Sequence, residues 1–192
     1  MYSLILDSST KILYIALIKD NSLLEDVYVT GQNDHAKNIV SKVDFLLKKY
    51  NIESKDLNNV ICGYGPGSYT GVRMAVTVAK MLSVFMNIPL YKISTLKLMA
   101  SGSNGKVLAI IDARRGNSFG MIYDMDKNEY IVNEGLYETL LLKGKQYDNI
   151  VTEESFKVDP IYCFNNKELV ENPDLLIPNY LRETEAERNL ND

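Results

Sequence analysis

The chain has 192 residues, of which 46 % are hydrophobic and 24 % are charged, and its formal net charge is -4. This length and composition are typical of one large packed domain or two small lobes. The acidic balance argues against a stand-alone RNA-binding module, because such proteins usually carry a basic excess. We expect no contact with a membrane, since no apolar run reaches membrane-spanning length and strand-like sequence begins at once, without a signal peptide.

Few residues could form a metal or nucleophilic centre. Cys62 and Cys163 are the only cysteines, and His35 is the only histidine. The wide separation of the cysteines favours two buried thiols in a reducing compartment, with a disulfide as the open alternative. Neither zinc-ligand spacing nor a Ser/His/Asp set can be built around His35, so we predict no metal site and no catalytic residue.

The first half of the chain begins with three predicted strands. The apolar runs Ser3–Leu6, Ile12–Ile18 and Leu23–Val29 are separated by short polar turns, which predicts an antiparallel meander. Residues 33–50 then repeat apolar side chains at spacings of three and four, and this period predicts an amphipathic helix. The meander is therefore followed by a helix that can cross back over it.

Strands and helices alternate in the next part of the chain. Asn59–Cys62 and Leu90–Ile93 are predicted strands, with a predicted helix at Val72–Met86 between them and a further strand at Lys106–Ile111. A meander followed by parallel crossovers predicts a mixed five-stranded sheet covered by helices. This is an α/β layout of the actin-like ATPase or ribonuclease H-like type. After Met125 the pattern weakens.

Three parts of the chain follow from this pattern. We predict an N-terminal actin-like lobe at residues 1–100, a reduced C-terminal lobe of the same type at residues 101–181, and a charged tail at residues 182–192. The second lobe is predicted to be smaller and truncated, because the sequence after about residue 125 is short and irregular.

A glycine-rich loop lies between a predicted strand and the second predicted helix. Its sequence is Gly65-Pro-Gly-Ser-Tyr-Thr-Gly-Val-Arg73. Glycines before a helix N-terminus can cradle a phosphate group. The spacing fits neither nucleotide-binding motif, since no Lys-Ser/Thr pair follows Gly71 and Thr70 stands where the dinucleotide fingerprint needs glycine. A tight turn that packs helix on strand, or that meets another protein, is the alternative.

Polar turns after two strands suggest an enzyme as a rival hypothesis. Asp7-Ser-Ser-Thr10 follows the first strand, and Asp112 ends a later one. In an ATPase or kinase such residues hold magnesium and phosphate, whereas in many other proteins they only cap turns. The residues assigned to a residual phosphate-binding set are Asp7, Ser8, Ser9, Thr10, Gly65, Gly67 and Ser68.

The second predicted helix has more apolar surface than one sheet can cover. On a helical wheel its apolar arc spans roughly 220°, against about 100° for a helix packed on one sheet. The surplus is covered either by the chain itself or by another protein. The residues predicted for a partner or dimer interface on the two helices are His35, Ile39, Val43, Leu46, Val72, Arg73, Val76 and Lys80.

Five ordered motifs resemble those of the TsaB (YeaZ) family. The glycine-rich run is the most specific of them, and the resemblance covers residues 1–124 well and then only the last motif. The other motifs are the opening Ile5-Leu-Asp-Ser-Ser-Thr10, His35, Asp112-Ala-Arg-Arg115 and Pro178-Asn-Tyr-Leu-Arg182. One departure is Gly116-Asn-Ser-Phe119, which lacks the acid that the family often has there.

The resemblance implies a cytoplasmic, non-catalytic scaffold related to the glycoprotease-like TsaD subunit. Family members bind TsaD through their first two helices, pair with themselves in isolation, and act with TsaE in forming threonylcarbamoyladenosine at position 37 of tRNA. The resemblance further implies no cofactor or metal of the chain's own. ATP and a metal ion are expected in the partner subunits, and tRNA is reached only through the complex.

Overall fold

A computed structural model describes residues 1–30 and 35–181. The predicted charged tail and the side chain of His35 lie outside the described residues. Strands β1–β5 and helices α1–α3 form the first part of the molecule. They are β1 (Tyr2–Asp7), β2 (Ile12–Lys19), β3 (Ser22–Thr30), α1 (His35–Lys49), β4 (Leu57–Gly63), α2 (Tyr69–Met86), β5 (Leu90–Ile93) and α3 (Thr95–Ala100).

The second part of the molecule is smaller. Two short 3-10 turns lie at Ser54–Asp56, before β4, and at Pro173–Leu175, near the end of the described chain. The elements of the second part are β6 (Lys106–Asp112), β7 (Asn117–Asp124), β8 (Glu129–Glu138), α4 (Thr139–Lys143) and β9 (Asn149–Thr152). They are followed by α5 (Pro160–Asn165) and β10 (Glu168–Leu169).

The first sheet is mixed and has six strands in the order β10-β5-β4-β1-β2-β3. Strands β1, β2 and β3 are antiparallel neighbours, whereas β4 is parallel to β1 and β5 is parallel to β4. Strands β1 and β2 are apolar on both sides because helices cover both faces of this sheet. The five predicted strands are confirmed, and β10 adds a sixth.

Helices α1 and α2 cover one face of the first sheet and pack against each other. Their buried side chains join Leu4, Leu13 and Val60 in one apolar core. The opposite face carries α5 and part of α3, which bury Ile5 and Tyr14 in a second core. The alternation of side chains along a strand explains why neighbouring residues of β1 enter different cores.

The second sheet repeats the topology of the first on a smaller scale. Its strand order is β8-β7-β6-β9, with β6, β7 and β8 antiparallel and β9 parallel to β6. Three antiparallel strands, a helix and a parallel strand also make up β1 to β4. The two-lobe, actin-like architecture with a truncated second lobe is therefore confirmed.

The last part of the chain returns to the first lobe. The second lobe therefore ends before residue 181, which is where the sequence pattern predicts its end. Strand β10 pairs with β5, and α5 places Cys163 in the second core. The Val158 amide donates a hydrogen bond of 2.9 Å to the Tyr28 hydroxyl on β3. The physical reason is burial: α3 has only six residues, so α5 is needed to cover the rest of that face.

Two smaller predictions concern thiols and membranes. Cys62 and Cys163 are both buried and both free, which confirms the interpretation as separate thiols. Burial raises the pKa of the Cys163 thiol to about 12, so it stays protonated.

Over the described parts of the chain, no helix is long and apolar enough to cross a membrane.

Residues 173–181 form a strap along the side of α2, which begins with the 3-10 turn Pro173–Leu175 and continues without regular secondary structure. The Lys80 ammonium donates hydrogen bonds to the carbonyl oxygens of Asp174 at 2.9 Å and Leu176 at 3.3 Å. Leu176 is partly buried and packs against the core that α1 and α2 cover, and the Asn179 amide donates to the Tyr64 carbonyl at 2.7 Å. The strap is thus fastened at both ends and at its centre.

Lys80→Ala is expected to loosen the strap and to lower the free energy of unfolding by about 1–3 kcal/mol, because two hydrogen bonds from a charged donor are lost. Urea unfolding measures this change, and limited proteolysis should show faster cleavage within residues 173–181. Lys145→Ala is the matched control, since Lys145 is exposed. Equal stability of the two variants would contradict the anchoring role of Lys80.

Candidate functional site

The β1–β2 turn and the glycine-rich loop pack directly on each other. The Ser68 amide donates a hydrogen bond of 2.7 Å to the Ser9 carbonyl. The Ser8 hydroxyl donates to the Gly71 carbonyl at 2.7 Å. Two turns that follow neighbouring parallel strands are thereby joined by their backbones, at the point where α2 begins.

Three glycines make this approach possible. A Cβ atom at Gly67 would lie 2.3 Å from the Ser9 carbonyl oxygen, and one at Gly71 would lie 2.0 Å from the Ser8 carbonyl oxygen. A Cβ at Gly63 would lie 1.9 Å from the Asp7 carboxylate. Real Cβ atoms do not come so close to oxygen, so these positions accept glycine alone unless the turns move apart.

Asp7 is fully buried in this contact and bonds to two neighbouring segments. Its carboxyl group accepts hydrogen bonds from the Ser9 amide at 2.6 Å and from the Thr95 hydroxyl at 2.7 Å. Thr95 in turn accepts one from the Gly65 amide at 3.1 Å. Burial raises the pKa of Asp7 above its ordinary value, although these hydrogen bonds oppose the rise.

The structure brings the whole predicted phosphate-binding set together, but the side chains of Asp7, Ser8 and Thr10 are hydrogen-bonded within the chain, whereas the buried Ser9 hydroxyl has no partner among the described residues. Ser8, Ser9 and Thr10 are buried, and the Thr10 hydroxyl donates to the Ile12 carbonyl at 2.9 Å. Asp112 caps its own turn by accepting from the Arg114 amide at 2.9 Å. The geometry therefore favours the tight-turn interpretation, and phosphate binding stays a prediction.

Helix α2 starts immediately after this contact. The Ser68 side chain accepts a hydrogen bond from the Gly71 amide and so caps the helix. Arg73 donates to the Tyr69 hydroxyl at 2.8 Å and lies over its ring, and the Tyr180 ring of the strap lies 5.3 Å from that of Tyr69. The helix dipole disfavours a positive charge in the first turn of α2, and the contact with the aromatic ring stabilises Arg73 there.

Most of the predicted interface residues face the chain's own core. The structure places five of them where another protein cannot reach: Ile39, Val43, Leu46, Val72 and Val76. They form the stripes of α1 and α2 that lie on the sheet, so their assignment to an interface is corrected. Lys80 holds the strap, Arg73 is exposed, and the side chain of His35 lies outside the described residues.

The exposed apolar side chains of these helices are different ones. Besides Tyr69, which contacts Arg73, five large apolar residues of α1 and α2 are exposed in the described structure. They are Val40, Phe45, Met81, Val84 and Phe85. The signal was present in the sequence, because Val84 falls within the polar arc of the α2 wheel and Phe45 directly follows Asp44, away from the apolar stripe of α1.

Among the residues that the structure describes, no group of three or more histidine, cysteine and acidic side chains is placed to hold a metal ion.

Gly67→Ala is expected to lower the free energy of unfolding by about 1–3 kcal/mol, because the new methyl group forces the two turns apart. Thermal and urea unfolding both measure the loss. Gly144→Ala is the control, since a Cβ at Gly144 would meet its nearest atom at an ordinary 3.4 Å. A neutral Gly67→Ala would show that the two turns do not need their close contact.

Asp7→Asn is expected to change how stability depends on pH. Because the folded-state pKa of Asp7 is raised, its contribution is greatest below the ordinary pKa of 3.8 and declines as pH rises towards the folded-state value. Wild-type protein should therefore lose stability relative to Asp7→Asn as pH increases above about 4. Urea unfolding at several pH values measures the difference between the two curves.

Asp20→Asn provides a control of opposite sign. The N-terminal ammonium group lowers the pKa of exposed Asp20, so the contribution of this carboxylate is lost as pH falls. Parallel curves for wild type and Asp7→Asn across this pH range would contradict a raised pKa of the buried Asp7 carboxyl group.

Comparisons with known proteins agree with this architecture. A family model described as "TsaD: tRNA N6-adenosine threonylcarbamoyltransferase" matches residues 29–167. The "tRNA threonylcarbamoyladenosine biosynthesis protein TsaB" of Bacillus subtilis is 32 % identical over 126 residues, which cover 64 % of this chain and 55 % of that protein. Its namesake in Escherichia coli is 33 % identical over 133 residues, with coverage of 67 % and 57 %.

The matched segment thus spans little more than half of the length of these curated relatives. Two solved structures from Pseudomonas aeruginosa share the fold over 94 % of this chain. One, described as similar to peptidase YEAZ, has a TM-score of 0.80 at 21 % identity and is covered over 99 % of its length. The other, YeaZ, has a TM-score of 0.77 at 20 % identity. The chain belongs to the TsaB (YeaZ) family.

Proposed function

We propose that the chain is a non-catalytic scaffold subunit in threonylcarbamoyladenosine synthesis on tRNA, and that it binds a TsaD-type subunit through the outer faces of α1 and α2. The curated relatives are named for biosynthesis of this modified nucleoside. Both helices lie on the same face of the first sheet, where they pack against each other.

The observation that carries the proposal is the exposed apolar surface of the two helices. Phe85 is 76 % exposed, and Phe45, Val40, Met81 and Val84 are also exposed. Full burial of a large apolar side chain contributes about 1.5–3 kcal/mol. Because these five are half to about three-quarters exposed, covering each of them contributes a part of that amount and favours association. The methionine adds adaptability, because its side chain refits different surfaces at low cost.

The packing around the glycine-rich loop argues against the rival ATPase or kinase. In that hypothesis Asp7, Ser8 and Thr10 face a nucleotide, yet all three are buried and hydrogen-bonded within the chain. The Ser9–Ser68 backbone hydrogen bond of 2.7 Å holds the two turns together where phosphate would enter. Nucleotide entry would require these turns to separate.

The remaining parts of the proposal follow from the family. We expect a cytoplasmic complex with TsaD and TsaE, in which ATP and a metal ion are bound by those subunits and tRNA is contacted through the assembly. In isolation the same apolar faces are expected to pair two copies of the chain. A TsaD-type partner would then compete with self-association.

Phe85→Asp and Phe45→Asp are expected to abolish or strongly weaken binding of the TsaD-type subunit, by about 10-fold or more in Kd, because each places a carboxylate in an apolar contact. Isothermal titration calorimetry measures the affinity, and light scattering follows self-association. Both variants should fold, since the two rings are exposed.

Leu141→Asp on α4 is the matched control, because Leu141 is an exposed leucine of the second lobe. Val43→Asp and Val76→Asp are unsuitable, since both valines are buried and a charge there is expected to unfold the protein. The proposal fails if Phe85→Asp binds like wild type. Saturable binding of ATP-Mg by the isolated chain would favour the rival enzyme.

A further inference from the structure

A groove at the C-terminal end of α2 continues the exposed surface of that helix. It has a volume of about 530 Å³ and lies between α2 and the segment Leu169–Pro173. Val84 and Leu169 both line it and both are exposed. Because Val84 also belongs to the outer face of α2, a protein that covers this face reaches the wall of the groove.

The strap extends this apolar surface beyond the groove. Leu175 is 73 % exposed and Ile177 is 72 % exposed, whereas Leu176 between them packs against the core. Leu175 ends the 3-10 turn and Ile177 follows its extended C-cap residue Leu176, and both large aliphatic side chains are exposed. The hydrogen bonds from Lys80 and the partial burial of Leu176 hold them in place, so little conformational freedom is lost when they bind a partner.

The charges at this edge indicate the chemistry of the partner. Glu171 and Asp174 are exposed, and within residues 1–30 and 35–181 neither forms an ion pair. The Lys80 ammonium group donates to backbone carbonyls and forms no salt bridge with either carboxylate, so two acidic groups stand against one basic group at this edge. A segment with aliphatic side chains flanked by lysine or arginine would complement this surface.

Two other occupants fit less well. The chain's own residues 182–192 contain four acidic residues against two arginines, and only one large aliphatic residue, Leu190. A second copy of the chain carries a net charge of -4, so it matches an acidic rim less well than a basic partner does.

We propose that the groove and the strap are a third element of the docking surface, and that the TsaD-type subunit seats an apolar segment with basic flanks on Val84, Leu169, Leu175 and Ile177. This inference rests on the proposed function and extends it, because it assigns the partner's contact to the C-terminal strap as well as to the two helices. Val84 and Phe85 are adjacent exposed residues of α2, and the groove that Val84 lines reaches Pro173, the first residue of the strap.

The test compares the affinity of the full-length variants for the purified TsaD-type subunit by calorimetry. Leu175→Ser/Ile177→Ser is expected to weaken binding by about 10-fold or more, as is usual when two anchoring side chains are truncated. Leu140→Ser/Leu141→Ser on α4 is the matched control, and a change within about twofold is expected there, as at sites outside an interface.

The outcomes separate this inference from the proposed function. If Phe85→Asp abolishes binding while Leu175→Ser/Ile177→Ser binds like wild type, the helices dock and the strap does not, so the inference is overturned alone. If Phe85→Asp has no effect, the proposed function itself fails. Leu169→Ser tests the groove independently of the strap, because its affinity for the TsaD-type subunit depends on the groove alone. Circular dichroism checks that each variant is folded.

Charge variants test the nature of the partner segment. Glu171→Gln/Asp174→Asn should weaken binding and make it less sensitive to salt, because attraction to basic groups is lost. Tighter binding by this variant would contradict a basic partner. Leu190→Ser should bind like wild type, whereas a gain in affinity would identify the tail as the occupant. Loss of self-association alone in Leu175→Ser/Ile177→Ser would identify a second copy.

Discussion

The backbone contact between the β1–β2 turn and the glycine-rich loop is the constraint on which the rest of the structure depends. The Ser9–Ser68 hydrogen bond and the close approach at Gly67 and Gly71 fix where α2 begins and how it lies on the sheet. The orientation of α2 then decides which of its apolar residues are buried and which are presented outward. A loop composed like a ligand cradle is used here to position a helix.

The sequence predicted the fold well where periodicity was strong. Strands β1–β4 and helices α1 and α2 follow directly from apolar periods of two and 3.6 residues. Strand β10 could not be predicted, since it has two residues and exists through pairing with β5. The strap was missed for a similar reason, because its order depends on Lys80 and on a core formed by distant parts of the chain.

The site was only half predicted, and the cause is physical. A wide apolar arc indicates that a helix is packed on more than one side. It does not identify which residues of the arc pack on the sheet and which remain for a partner. The pattern assigns Val43 and Val76 to the interface because they lie in the stripe with the strongest helical period, and the chain itself buries that stripe. The informative residues were those that break amphipathicity, such as Phe45 and Val84, because only exposed apolar positions can serve a partner.

The second lobe and the strap together favour a fixed surface over a closing cleft. An actin-like enzyme closes two lobes on its nucleotide, and such motion requires the lobes to move relative to each other. Here Lys11 of the β1–β2 turn pairs with Glu153 at 3.1 Å, and the chain after β9 returns to cover the first sheet. The outer face of α2 and the strap both lie on the first lobe and are joined by the hydrogen bonds of Lys80, so they keep one arrangement, which suits a surface that a partner recognises preformed.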